Sequence, residues 1–270
     1  MRLVPDLGLV ADEFDWVPSP TFVLRRAAVL KRLSSWAPGR VLEVGCGSGA
    51  LLYELALRGF VGVGVEASPA ARILAEKLLA EQKGVRISEA LPEDSATFDY
   101  LLSFEVLEHI EFDLAALSAW VERLRPGGQC LISVPAHSAK WNLTDTLAGH
   151  FRRYDRIDAR RLVEQAGLSI RSIETYGFPA TWLIERVRLV TRWAQLLHRG
   201  IDPTTIARGD AVRTQQSGIA RDMETKLFPI YGSRLGQRCW RWAARAQEQF
   251  AGTDWGISYL IAAVKEERLS

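Results

Sequence analysis

Three cysteines in 270 residues, Cys46, Cys130 and Cys239, are too few and too widely spaced for a disulfide framework or a CxxC zinc site. A reducing, cytoplasmic setting is the expectation that follows. No apolar run reaches the ~20 residues of a membrane-spanning helix. The longest candidate, Trp182 to Leu197, is interrupted by Glu185, Arg186, Arg188 and Arg192. The segment Met1 to Trp16 carries Asp6, Asp12, Glu13 and Asp15 and has no basic start before an apolar core, so it is not expected to be a secretory leader. Net charge is nearly absent: 34 Lys and Arg face 32 Asp and Glu, a formal +2. That balance gives no reason to expect a nucleic-acid partner. There is no internal repeat and no low-complexity tract. Apolar residues at 48% and charged residues at 24% exclude a disordered tail, a collagen-like chain and a coiled-coil rod. What is plentiful is tryptophan, with nine residues, and such large aromatic surface tends to sit in cores or at apolar ligand sites.

The pattern along the chain alternates strands and helices. Residues 21–36 place Val23, Leu24, Ala27, Leu30 and Leu33 near helical spacing, and Pro38-Gly39 ends that helix. Arg40 to Val44 reads as a buried strand and Ala50 to Leu57 as a helix. Phe60 to Val65 is a second strand ending in Glu66, and Ser68-Pro69 supplies the cap and first-turn Pro of the next helix. Further strands are predicted at Val85–Ser88, Phe98–Phe104, Gln129–Val134, Leu168–Tyr176 and Trp255–Lys265. Helices are predicted at Ile110–Leu124, ended by Pro126-Gly127-Gly128, and at Asp158–Ala166. This alternation argues for an α/β fold with a parallel, doubly wound sheet. The boundaries read as an N-terminal helical segment (1–38), a sheet domain (39–177), a helical insert (178–253) and a final strand (254–270). The insert has breaks at Gly200–Pro203, Gly218, Pro229 and Gly232.

The unit that carries chemistry is strand, Gly45-x-Gly47-x-Gly49, helix. Glycines there allow a tight turn and close approach of backbone to a ligand, at a helix N-terminus with free N–H groups. Glu66 ends the next strand, 19 residues beyond Gly47, where a carboxylate can accept the ribose hydroxyls of an adenosine cofactor. The loop alone fits the GxGxxA form of the dinucleotide fingerprint, so an NAD-dependent oxidoreductase remains one alternative. A non-catalytic binding module is the other.

The wider context discriminates. VLEVGCGSG (with Glu43 inside the strand), FDYLLSFEVLEHI and LRPGGQCLISVP occur in the order and spacing of class I S-adenosylmethionine (SAM) methyltransferases, and the chain resembles that family over about Gly39 to Tyr176. The resemblance implies a Rossmann-like seven-stranded sheet whose last strand is antiparallel, and SAM as cofactor. It assigns Gly45, Cys46, Gly47 and Gly49 to the methionine end of SAM and Glu43, inside the strand, to the cofactor site. Glu66 matches the ribose acid, Ala67 the residue beside the adenine, and Ser88 and Glu89 fall near the adenine-contacting position. Phe104 and Glu105 match the segment beside the sulfonium. The stretch VPAHSAKWNLTDTLAGHFRRY resembles a bacterial subgroup with a VPAH…GHxRRY pattern and mixed acceptors.

Methyl transfer needs an aligned acceptor and, for oxygen, a base. His109 and His150 are the candidate bases. His137, Trp141, Arg153 and Tyr154 are the candidate acceptor contacts, on a stretch long enough to be a binding loop. Glu105, Glu108, His109 and His150 also resemble the divalent-metal site of some ubiquinone-pathway and small-RNA methyltransferases. A metal is left open and not assigned. The insert carries twelve Lys or Arg against six Asp or Glu. It reads as a cap whose apolar stripe packs on the sheet domain and whose inner face shapes a pocket for a small apolar, aromatic or lipid-linked acceptor. A peripheral membrane contact is the second reading. Nucleic acid ranks last, and oligomeric state is unassigned.

Overall fold

The computed structural model describes residues 1–93, 97–198, 200 and 222–266. Strands β1 (Arg2–Val4) and β2 (Gly8–Val10) form an antiparallel hairpin before helix α1 (Pro20–Leu33). Then come β3 (Arg40–Val44), α2 (Ala50–Ala56), β4 (Val61–Val65), α3 (Pro69–Leu79), β5 (Val85–Ser88) and β6 (Phe98–Phe104). They are followed by α4 (Asp113–Arg123), β7 (Leu124–Pro135), α5 (Leu143–Ala148), α6 (Arg156–Gln165) and β8 (Leu168–Tyr176). Helices α7 (Ala180–His198), α8 (Asp222–Tyr231) and α9 (Arg234–Gln249) precede β9 (Ser258–Lys265).

Seven strands form one sheet in the order β5-β4-β3-β6-β7-β9-β8. The pairs from β5 to β7 are parallel, and β9 runs antiparallel between β7 and β8. The side-chain period of two sends alternate residues to opposite faces. Leu42, Val44 and Leu101 join Leu117, Trp120 and Val163 of α4 and α6. Val41 and Leu102 join Val29, Leu52 and Leu55 of α1 and α2. Both faces are thus covered, as a parallel sheet requires. The chain order reverses between β3 and β6, so a crevice opens at the carboxyl ends of those strands.

Local chemistry explains the helix starts. Ser19 accepts the Phe22 N–H at 3.3 Å, and Ser68 caps α3 in the same way, each followed by Pro at the first position. Buried Arg26 and Glu54 pair through both nitrogen–oxygen contacts at 2.6 Å and bolt α1 to α2.

Four boundaries differ from expectation. The N-terminal segment opens with a hairpin, not a helix, because Leu7, Leu9 and Val10 are buried against α2, α8 and α9. Strand β7 starts at Leu124 and carries Pro126-Gly127-Gly128 as an irregularity, with the register shifting between Phe98 and Tyr100 of its neighbour. The last strand begins at Ser258, since Trp255 stacks on Phe250 and is held out of the ladder. Pro229 lies inside α8, and the break falls at Gly232 and Ser233. The expected breaks at Ile201–Pro203 and Gly218 lie outside the described residues.

Candidate active site

The glycine loop is tied to the next strand: the Gly45 and Cys46 N–H groups donate to Val65 O at 2.8 and 3.1 Å. Gly45 has φ 72°, and a Cβ there would lie 2.2 Å from Val106 Cγ2. Gly47 has φ 56°, but a Cβ there would meet nothing within 4 Å. The backbone at Gly47 therefore borders open space that a ligand can approach. Glu66 turns back over this loop. Its carboxylate accepts the Gly47 N–H and the Ser68 N–H, each at 2.8 Å. Cys46 is buried, and burial pushes its thiol up, which keeps it uncharged. Ala67 is exposed beside the loop. Ser88 Oγ donates to Ala90 O, and Glu89 pairs with Arg72 at 2.9 Å, so both are engaged locally.

Glu43 is buried, and its Oε2 has no hydrogen-bond partner. Burial pushes its carboxyl up to about 8, opposed by Arg25 and aided by Glu66. The folded state therefore holds a proton that the unfolded chain has released above the ordinary carboxylate range. Stability falls as pH rises from that range to about 8. Glu43→Gln is expected to melt above wild type at pH 8 and to match it near pH 4, read by thermal denaturation at the two pH values in the absence of ligand.

Arg25 of α1 reaches the carboxyl end of β6, with Nη1 3.5 Å from Phe104 O. It makes no ion pair among the described residues, yet its charge acts on Glu43, Glu108 and Tyr176. Phe104 itself is buried. The next residue, Glu105, has φ 59°, and this left-handed backbone swings its side chain toward the last three strands. Its Oε1 accepts from Ser133 Oγ at 2.8 Å and Tyr176 Oη at 2.9 Å, and its Oε2 from Ser258 Oγ at 3.2 Å.

Glu105 is thus separated from Glu108, His109 and His150, which meet on their own. Potential ligand atoms of these three all lie within 4.8 Å of one another. His109 Nε2 and His150 Nε2 are each 4.0 Å from Glu108 Oε1, and the two rings meet edge-on at 4.6 Å. Glu108 is fully buried, and among the described residues neither of its oxygens, nor His109 Nδ1, has a hydrogen-bond partner. Burial, then Glu105, pushes the Glu108 carboxyl well up. Burial, then His150, pushes His109 down to about 4. His150 is braced from behind, with Nδ1 3.0 Å from Asp145 Oδ1. Burial works against the Asp145 charge, but His150 and Arg153 hold its carboxyl below the usual range.

The expected acceptor contacts are distributed differently. His137 has φ 65°, lies 3.2 Å through Nε2 from Gly256 O and packs on Tyr259. Trp141 is half-buried and donates to Thr146 Oγ1 at 3.2 Å. Arg153 donates to Asp145 Oδ1 at 2.7 Å and to Ala136 O. Tyr154 is buried and donates to Asp113 Oδ2 at 2.8 Å. Arg153 and Tyr154, expected as acceptor contacts, are engaged with Asp145, Ala136 and Asp113 where the backbone bridges Ala136 and Tyr154. The expected open loop is likewise built up by a 3₁₀ turn and α5, whose capping box joins Asn142 and Asp145.

A family model described as a methyltransferase domain matches residues 23–173, more than half of the chain. The chain belongs to the methyltransferase-domain family. A ubiquinone biosynthesis O-methyltransferase of Cereibacter sphaeroides is 40% identical over 100 residues, which is 35% of this chain and 40% of that protein. One from Nitrosococcus oceani is 32% identical over 115 residues, 40% of this chain and 48% of that one. This methyltransferase-family chain therefore spans about two-fifths to half the length of the curated relatives it matches. A phosphoethanolamine N-methyltransferase 2 from Haemonchus contortus, solved with SAM, superposes with TM-score 0.55 at 19% identity, over 90% of this chain and 52% of that one. The (4+2)-cyclase SpnF superposes with TM-score 0.57 at 18% identity, over 97% and 87%. Fold alone does not select the reaction.

Two further charged residues near these groups, Arg25 and Glu185, were not singled out from sequence. Arg25 sits on a helix that reads only as amphipathic. Glu185 of α7 is turned inward, where burial, working against the Arg153 charge, pushes its carboxyl up. No motif marks either one, because packing of α1 and α7 onto the strand ends sets their positions.

Proposed function

We propose that this chain transfers the methyl group of SAM to a hydroxyl of a small apolar, aromatic or lipid-linked acceptor. The observation that carries the cofactor reading is the Glu66 carboxylate bridged to Gly47 and Ser68 beside open space. Each of its oxygens keeps a lone pair for a ribose hydroxyl, and the two N–H donors hold it in place. The loop backbone faces the methionine end. The Arg25 guanidinium near Phe104, which makes no ion pair among the described residues, suits the carboxylate of that end. Arg25→Ala is expected to weaken SAM binding about tenfold, the loss of roughly one charged hydrogen-bond pair, measured by calorimetry.

The acceptor side rests on Glu108, His109 and His150. A buried carboxyl with no donor, facing two imidazoles, keeps its proton unless a cation joins it and stabilises the carboxylate. One imidazole is oriented by Asp145, the arrangement common behind metal-bound histidines. These residues fit a divalent ion held by Glu108, His109 and His150, with Glu105 outside the set. When bound, such an ion polarises an acceptor hydroxyl and eases its deprotonation. The protein's own part is to orient the hydroxyl, exclude water and fix the imidazoles. Oxygen as the acceptor atom is supported by the O-methyltransferase names of the relatives. The Asp145–His150 pair favours a second reading, with His150 as a metal-free general base.

The test is formation of S-adenosylhomocysteine from SAM with a panel of catechols and other phenols, with and without Mg²⁺ or EDTA. Turnover abolished by EDTA and restored by Mg²⁺ supports the metal reading. EDTA-resistant turnover lost in His150→Ala supports the second.

A further inference from the structure

Helix α7 leaves one of its apolar stripes uncovered. An amphipathic helix on a globular domain ordinarily buries its apolar stripe. Here the inward side carries buried Thr181, half-buried Ile184 and Leu189, the inward-turned Glu185, and Arg188, which pairs with Glu224 of α8 at 3.1 Å. The opposite side carries Leu183, Val187, Val190, Ala194 and Leu197, at successive spacings of four, three, four and three. That stripe is exposed: Leu183 at 59%, Val190 at 68% and Leu197 at 61%. The sequence-based expectation of an apolar stripe packed on the sheet domain therefore fails for this stripe of α7.

Ile230 of α8 and Leu235 and Trp242 of α9 are also exposed. Arginine is mixed into it. Arg186 stacks on Trp182 at 4.4 Å, and Arg245 lies 5.7 Å from the Trp242 ring. Arg186, Arg234, Arg238 and Arg245 make no ion pair among the described residues.

We infer that α7 and the exposed faces of α8 and α9 dock on an anionic lipid surface. Leu and Val would enter the acyl boundary, Trp would sit at headgroup depth, and arginine would meet lipid phosphates. Charge decides between this occupant and a second copy of the chain. A second copy would bring the same excess of arginine against itself, whereas anionic headgroups complement it. Docking on this face also explains why a stripe of this size stays open. Because Glu185 lies on the other side of α7, one helix would connect the lipid surface to the acceptor side of the site.

The test uses the full chain with flotation on vesicles of phosphatidylcholine, alone or with about 30 mol% phosphatidylglycerol. Wild type is expected to float with the anionic vesicles, to bind the neutral ones weakly and to be released by high salt. Val187→Asp and Val190→Asp are expected to reduce the bound fraction about tenfold, with unchanged Tm and unchanged SAM binding. Unchanged SAM binding separates this result from any failure of the cofactor reading. Wild type that ignores anionic vesicles overturns the inference. So do variants that float like wild type. A fall in Tm, or a dimer that dissociates in either variant, also overturns it, since the face is then covered by protein.

Discussion

Glu108→Gln is expected to abolish divalent-ion binding and to lower acceptor turnover by a factor of about 10²–10³. The substitution keeps the shape of a fully buried side chain and removes its ability to carry charge. It also replaces one carboxylate oxygen with an amide nitrogen, which has no lone pair for a cation. Among the described residues neither Glu108 oxygen has a hydrogen-bond partner, so no such contact is lost. A stability change small beside the loss of turnover is the expected control, read as Tm without metal. Mn²⁺ binding followed by electron paramagnetic resonance gives a readout independent of turnover. Glu105→Gln should leave Mn²⁺ affinity near wild type, because the Glu105 carboxylate is committed to Ser133, Tyr176 and Ser258. Asp145→Asn should weaken Mn²⁺ binding by about 10–100-fold, since it loosens the His150 imidazole. If Glu108→Gln binds Mn²⁺ and turns over like wild type, the metal reading is wrong.

The second large effect is at Glu66. Glu66→Ala is expected to raise the Kd for SAM by about 10–100-fold, the equivalent of roughly 1.5–3 kcal/mol for hydrogen bonds to a charged group. Two losses combine. The ribose hydroxyls lose their acceptor, and Gly47 and Ser68 lose the carboxylate that holds their N–H groups in place. Glu66→Gln should fall between the two, since an amide oxygen accepts one hydroxyl without the charge. Calorimetry with SAM on the three proteins checks the order. Equal affinities would remove Glu66 from the ribose contact.

Most of the fold could be read from sequence because its signals are local. A strand, a glycine turn, a helix and a second strand ending in Glu66 form one continuous unit, so spacing alone brought Glu66 to Gly47. The antiparallel last strand came instead from the family resemblance, since no periodicity gives strand direction. The hairpin at Arg2–Val10 was missed because three-residue strands show no period. The site was only partly legible. Glu108 and His150 are 42 residues apart, and only the resemblance named them together. The sequence pattern ExxEH placed Glu105 with them, but a left-handed φ at Glu105 turns it to the neighbouring strands. Arg153 and Tyr154 read as acceptor contacts, and their partners Asp145 and Asp113 could not be read from spacing because the bridge to Ala136 brings them together. Arg25 and Glu185 reach the site through helix packing, which residue patterns do not encode.

The central claim is that the glycine loop and Glu66 bind SAM. Titration calorimetry of the purified chain with SAM and, separately, with NAD tests it most directly. Saturable one-site binding of SAM, weakened in Glu66→Ala, and no binding of NAD are the expected results. Binding of NAD in place of SAM, or SAM binding that is indifferent to Glu66, would contradict the claim.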